Sequence, residues 1–214
     1  MSQIFYNSAE LRWFLEAQEG QWSQFLKWFT CQEQLAVRKE DCYEPKDYAT
    51  DAFVKLERQR VDKYLLFPDS DTVSVKQRSG NLEVKALVAS PRPFSVPTLG
   101  VAGRIDQWVK WSFVTPLSKD LAPELDRAAP WWSVTKDRYL QKYSYDSGHM
   151  VPVSPDAHPD LGCNIELTQV KINADATAWS TLGFEAFGPS GRVIAMLDEA
   201  VTQFSWRMGA LQLN

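Results

Sequence analysis

The sequence predicts an α+β fold: a mostly antiparallel sheet of about eight strands, able to close into a barrel, with flanking helices. Three observations predict it. Strand-like alternations arrive in consecutive hairpin-like pairs, without the βαβ rhythm of a parallel sheet. Almost every alternation sets its ionisable residues an even number of positions apart, hence on one face. The strongest helical period is Val193, Met196, Leu197, Ala200, Val201 and Phe204, within Ser190 to Ser205.

Each element has its own local reason. Ala9 to Leu15 alternates Ala9, Leu11 and Trp13 against Glu10, Arg12 and Phe14, and reads as a short strand. Ser23 to Glu33 offers Phe25, Leu26 and Phe29 at helical spacing after Trp22. Gln34 to Ala52 is polar and interrupted by Pro45, which predicts a loop. Leu56 to Phe67 reads as a strand running into the Pro68-Asp69-Ser70-Asp71 turn. Thr72 to Leu87 is a hairpin; Gly80-Asn81 suits its two-residue loop because glycine accepts a positive φ at the first central position. That loop pairs Arg78 with Glu83 and Lys76 with Lys85. Ser90 to Gly100 is a proline-rich loop, and Gly100 to Arg104 a turn.

Ile105 to Thr115 is a strand rich in aromatic and β-branched residues. Lys119 to Arg127 is a short helix, and Trp131 to Tyr143 returns to strand alternation. Ser144 to Gly162 holds Gly148, Pro152, Pro155 and Pro159, and is read as irregular. Cys163 to Ile172 and Ala178 to Phe187 form a strand pair joined by Asn173 to Thr177, before the final helix.

Composition narrows the function. With 214 residues and no shift in composition, the chain is expected to form one domain over 1–214. The net charge of −4 and pI near 5.3 argue against a nucleic-acid polymer as partner. Cys31, Cys42 and Cys163 form no CxxC pair and are odd in number, which fits a reducing compartment; the cytoplasm is the expected location. No stretch is apolar enough to span a membrane, so no membrane partner is expected. His149 and His158 lie nine apart in a proline-rich region, without metal-site spacing.

The charged faces carry the functional argument. Glu10 stands with Arg12; Arg58 and Arg60 with Asp62; Lys76 with Arg78; Glu83 with Lys85; Asp106 with Lys110; Lys136 with Arg138; Glu166 and Glu185 stand singly. On any one strand such a pattern marks a solvated face. The opposite faces, with Leu11, Trp13, Val109, Trp111, Ile165, Leu167, Leu182 and Phe184, suit packing under helices. If helices cover the outside of a curved sheet, the charges must meet on its concave side and form an anion site.

In order and pattern these strands resemble the CYTH, or triphosphate tunnel metalloenzyme, superfamily. AELRWFL sits where that family opens with E-x-E-x-K. RVDKYLLFP resembles the strand before its Arg-x-Arg strand, and VSVKQR resembles the Arg-x-Arg strand itself. LEVKAL, VTKDR, IELTQV and GFEAF resemble the later basic and closing acidic strands. The resemblance implies a tunnel-like antiparallel barrel binding a small phosphate-containing anion, a polyphosphate or nucleoside triphosphate. Lys76, Arg78, Lys85, Lys136 and Arg138 would bind phosphate, joined by the further lumen cations Arg12, Arg58, Arg60 and Lys110. Glu10, Glu166 and Glu185 would hold Mg²⁺ or Mn²⁺ for hydrolysis.

Arg12, Phe14 and Gly183 depart from the family pattern, standing where Glu, Lys and Glu are expected. Repulsion between Arg12 and a divalent ion a few ångströms away costs on the order of several kcal/mol at intermediate dielectric. An alternative follows: a non-catalytic anion-binding or scaffold protein that keeps the barrel and has lost the metal site. A third reading is an open sheet with outward charges and an apolar pocket lined by tryptophans. Catalytic residues and oligomeric state are not legible in the sequence.

Overall fold

The computed structural model describes residues 3–15, 21–30, 54–67, 69–97, 100–113, 131–173 and 178–208. In chain order these form β1 (Gln3–Leu15), α1 (Gln21–Thr30), β2 (Val54–Leu65), β3 (Val73–Arg78), β4 (Asn81–Leu87) and β5 (Arg92–Val96). There follow β6 (Val101–Phe113), β7 (Trp131–Asp146), β8 (His149–Val153), β9 (Gly162–Ile172), β10 (Ala178–Phe187) and α2 (Val193–Met208). The expected loop Gln34 to Ala52 and helix Lys119 to Arg127 lie outside the described residues.

Eight strands close a fully antiparallel barrel in the order β1-β10-β9-β7-β2-β3-β4-β6, and β6 pairs back onto β1. Closure removes the unpaired edges an open sheet would expose. The open-sheet reading is thereby corrected. The two further strands are short extensions. β5 continues the β4 side of β6, pairing Arg92 with Ile105, and β8 pairs with the end of β7, Asp146 opposite His149.

Alternation divides each wall strand between two surroundings. Outward-facing Ala9, Leu11, Trp13 and Leu15 of β1 join Cys163, Ile165 and Leu167 of β9 and Leu182, Phe184 and Ala186 of β10. Over them lies α2, whose Val193, Met196, Leu197, Ala200, Val201 and Phe204 are all buried. Each fully buried Val, Leu, Ile, Phe or Met side chain there contributes roughly 1.5–3 kcal/mol, and this core sits outside the barrel. Edge-to-face contacts lock it: Phe184 lies 6.1 Å from Trp13 and 6.0 Å from Phe204, centroid to centroid.

The described residues are mostly β, and the expected flanking helices are corrected: helical packing concentrates on β1, β9 and β10, one side of the wall. Other expectations also shift. The proline-rich segment Ser90 to Gly100 contains β5, whose Pro93 is tolerated because β5 is an edge strand. Gly100 does turn, at φ 65°, but the residues after it already belong to β6. Ser144 to Gly162 is not irregular throughout, since Ser147-Gly148 (φ 50° and 90°) turns β7 into β8.

The β3–β4 hairpin closes on Ser79-Gly80, not on Gly80-Asn81. Both loop residues have positive φ, 48° and 80°, the geometry of a type I′ turn. Its twist matches that of the strands, and it sets Lys76 opposite Glu83 and Ser74 opposite Lys85. The slip preserves the charged face and removes the like-charged Lys76–Lys85 pair.

Candidate functional site

Inward-facing residues of all eight strands surround a cavity of about 850 Å³. Of the sequence-predicted residues, Glu10, Arg12, Arg60, Lys76, Arg78, Lys85, Lys110, Lys136, Arg138, Glu166 and Glu185 all line it. Arg58 does not. Gln59 takes a positive φ of 47°, and the β2–β7 register shifts between Glu57 and Arg60, so two β2 residues oppose Asp137 alone. The Gln59 amide donates to Asp137 Oδ1 at 2.7 Å, which holds the bulge. A bulge inserts one residue and reverses the facing of what precedes it. Arg58 is therefore exposed, and Glu57 joins the lumen network instead.

The centre of one wall is Asp62, which is 0% exposed. Arg78 reaches it in a fork, Nε to Oδ1 at 3.0 Å and Nη2 to Oδ2 at 3.3 Å. Lys136 Nζ lies 3.1 Å from Oδ2 and Arg60 Nη2 3.5 Å. Burial alone would raise this carboxyl, but the three cations hold it well below its usual range. Lys136 also donates to Tyr64 Oη at 2.6 Å. Burial lowers the Lys136 ammonium against the partial support of Asp62, down to about 8.

A second cluster surrounds Glu166. Arg138 Nη1 donates to its Oε1 at 2.5 Å, and Arg12 Nη2 lies 3.5 Å from its Oε2. Against the cost of burial, these guanidinium groups hold Glu166 down to about 2. Arg138 also reaches Glu57 at 3.0 Å, which Arg60 shares at 2.7 Å. A third cluster pairs Lys76 with Glu83 at 2.9 Å, while Arg78 Nη1 lies 3.6 Å from Glu83.

At the fourth place Lys85 pairs with Glu10 and lies over Trp108, 5.3 Å from the ring centroid. Lys110 faces Lys85 directly across β4 and β6, and stands over Tyr6 at 4.8 Å. Among the described residues Lys110 has no carboxylate partner. Glu185 is opposite Glu10 in register and accepts from Asn164 Nδ2 at 3.4 Å. Its burial would raise it, but Lys85 and Lys110 pull it below its usual value.

The three proposed metal ligands line the lumen on the neighbouring strands β1, β10 and β9, with Glu10 opposite Glu185 in register. Gly183 lies opposite both Arg12 and Glu166 in register, and the Arg12 guanidinium fills the space above it. Arg12 Nη1 donates to Thr181 Oγ1 at 3.3 Å while its other nitrogen faces Glu166. Glu10 and Glu166 are already occupied by cations. Among the described residues no three His, Cys, Asp or Glu side chains form a metal-holding group. This donor set does not fit a divalent ion as it stands.

The sequence placed Asp62 and Glu83 on the charged face, but Tyr64 and Lys142, which also line the lumen, were assigned no role. Their even spacing from Arg60 and Arg138 was the available signal. Glu57 had none, because the bulge that turns it inward depends on Asp137 of another strand.

Compared with models of known protein families the chain matches none, and no curated protein is similar to it in sequence. Among the described residues no helix is long and apolar enough to cross a membrane.

Proposed function

We propose that this barrel binds a phosphate-rich anion in its lumen, without a metal and without hydrolysing it. The observation that carries the reading is two pairs of like-charged cross-strand neighbours facing one cavity: Lys85 opposite Lys110, and Arg60 opposite Lys136. Like charges directly opposite are destabilising, and in a partly desolvated lumen an entering anion relieves them. The carboxylates Asp62, Glu83 and Glu166 hold the guanidinium and ammonium groups in place before the anion arrives. Such preorganisation removes ordering cost from binding. Lys110, which stands over the ring of Tyr6 and makes no direct ion pair among the described residues, is a cation that a phosphate oxygen can meet without breaking one. The Arg12 guanidinium stands over Gly183 as a resident positive charge, which supports metal-independent binding over a metal-dependent phosphohydrolase.

Calorimetry with tripolyphosphate tests this, run in EDTA and again with Mg²⁺ or Mn²⁺. Equal affinity in both, with no orthophosphate released, is the expected result. Binding that appears only with the metal, or turnover once it is added, overturns the metal-free reading in favour of a phosphohydrolase. No binding under either condition overturns anion binding itself.

A further inference from the structure

Lys136 differs from the other lumen lysines in its surroundings. Lys76 pairs with Glu83, and Lys85 with Glu10. Lys136 instead shares one carboxylate with two arginines. Its Nζ lies 3.1 Å from Asp62 Oδ2, Arg60 Nη2 lies 3.5 Å from the same oxygen, and Arg78 forks both oxygens. A guanidinium keeps its proton in a protein, so a proton lost from this cluster comes from Lys136. Its loss leaves the Arg78–Asp62 fork intact. It also relieves repulsion from Arg60, the register partner of Lys136 across β2 and β7.

The other strands around Lys136 push the same way. Arg12 of β1 adds positive charge, and β9 sets the uncharged Val170 opposite Lys136 in register. Glu166, also on β9, is taken up by Arg12 and Arg138. Burial first, then Arg60 and Arg12, bring the Lys136 ammonium down to about 8 against the support of Asp62. A hydroxyl completes the group. Nζ donates to Tyr64 Oη at 2.6 Å, and burial raises that phenol, which keeps it protonated. A desolvated amine beside other cations is a nucleophile, and a phenol touching it passes protons.

We propose that Lys136 is a covalent amine site, whose Nζ forms an imine with an aldehyde that carries an anionic group. The anionic group rests on the proposed function and lies against the guanidinium groups of Arg60 and Arg78. The ammonium first loses one proton to water. The nitrogen lone pair then attacks the carbonyl carbon, forming C–N as the C=O π pair moves to oxygen. Tyr64 gives its proton to that oxygen and takes one from the nitrogen. The carbinolamine breaks its C–O bond as the nitrogen lone pair forms C=N. The expelled hydroxide and the last nitrogen proton make one water, and nothing is oxidised or reduced.

The test incubates the full chain at pH 8 with glycolaldehyde phosphate or with uncharged glycolaldehyde. Sodium cyanoborohydride reduces any imine to a stable amine, and mass spectrometry maps the labelled lysines. Glycolaldehyde phosphate is expected to label Lys136 about tenfold or more faster than the exposed Lys171. Its rate at Lys136 exceeds that of glycolaldehyde by about tenfold or more. Tyr64→Phe, checked for folding by circular dichroism, slows the labelling about tenfold or more. Lys136 labelled no faster than Lys171, equal rates for the two aldehydes, or a Tyr64→Phe rate equal to the parent's each overturns the inference. None of these results touches the proposed function, which the tripolyphosphate titration decides separately. No binding in that titration overturns the proposed function, and this inference with it.

Discussion

The Arg12 guanidinium rests against the backbone of Gly183, where a Cβ would stand 2.9 Å from Arg12 Cζ and 3.0 Å from its Nη2. The two residues are also register partners across β1 and β10. A glycine inside a strand ordinarily costs roughly 0.5–1 kcal/mol relative to alanine. Here its missing side chain makes room for a cation that faces Glu166 and Thr181.

That relationship predicts a change of sign. In the parent, Gly183→Ala displaces Arg12 from Glu166 and destabilises the fold. In an Arg12→Ala background the same substitution stabilises by up to about 1 kcal/mol, since only the backbone gain remains. Urea denaturation of the four proteins closes the cycle, with an expected coupling of about 1–2 kcal/mol. Additive effects would show that the contact carries no energy.

Asp62 is the second target. Asp62→Asn leaves Arg78, Lys136 and Arg60 around a neutral group inside the wall. Removing one partner of a buried ion pair costs about 3–5 kcal/mol, so the denaturation midpoint should fall accordingly with an unchanged slope. A loss below about 1 kcal/mol would mean that the cations find other partners.

Lys136 sets a pH dependence. Its folded value, about 8, lies below the unfolded value of about 10.4. Between these values the unfolded chain binds more protons, so this lysine makes stability rise with pH, from about 8 towards about 10.4. Anion affinity moves the opposite way, because the lumen loses a positive charge over the same interval. Tripolyphosphate titrations at pH 7, 8 and 9 should weaken stepwise, and Lys136→Arg should flatten the decline. An unchanged pH profile in the arginine variant would assign the effect to another group.

The β2 bulge separates two arginines that alternation places together. Arg60→Met removes a lumen cation and should weaken tripolyphosphate binding about tenfold or more, the scale of one charge-assisted hydrogen bond. Arg58→Met alters an exposed side chain outside the lumen and should leave affinity within about twofold. Equal losses from both would return Arg58 to the cavity.

By itself the sequence determined the two-sidedness of the walls and the apolar stripe of α2. Both follow from local periods: two residues per repeat puts Arg12 and Leu11 on opposite faces, and 3.6 gathers Val193, Met196 and Val201. Glu166, Lys136 and Arg78 were legible as one charged surface for the same reason. Tertiary structure alone decided that this surface is an interior. Closure requires β6 to pair with β1, and that contact joins residues about a hundred positions apart, such as Leu11 and Ile105. It also decided the exceptions. The hairpin loop moved to Ser79-Gly80 because both residues take the positive φ its twist needs, and Arg58 turned outward because Asp137, on another strand, captures the Gln59 amide. Periodicity is a property of neighbours in sequence, whereas closure, register and bulges depend on partners that only folding supplies.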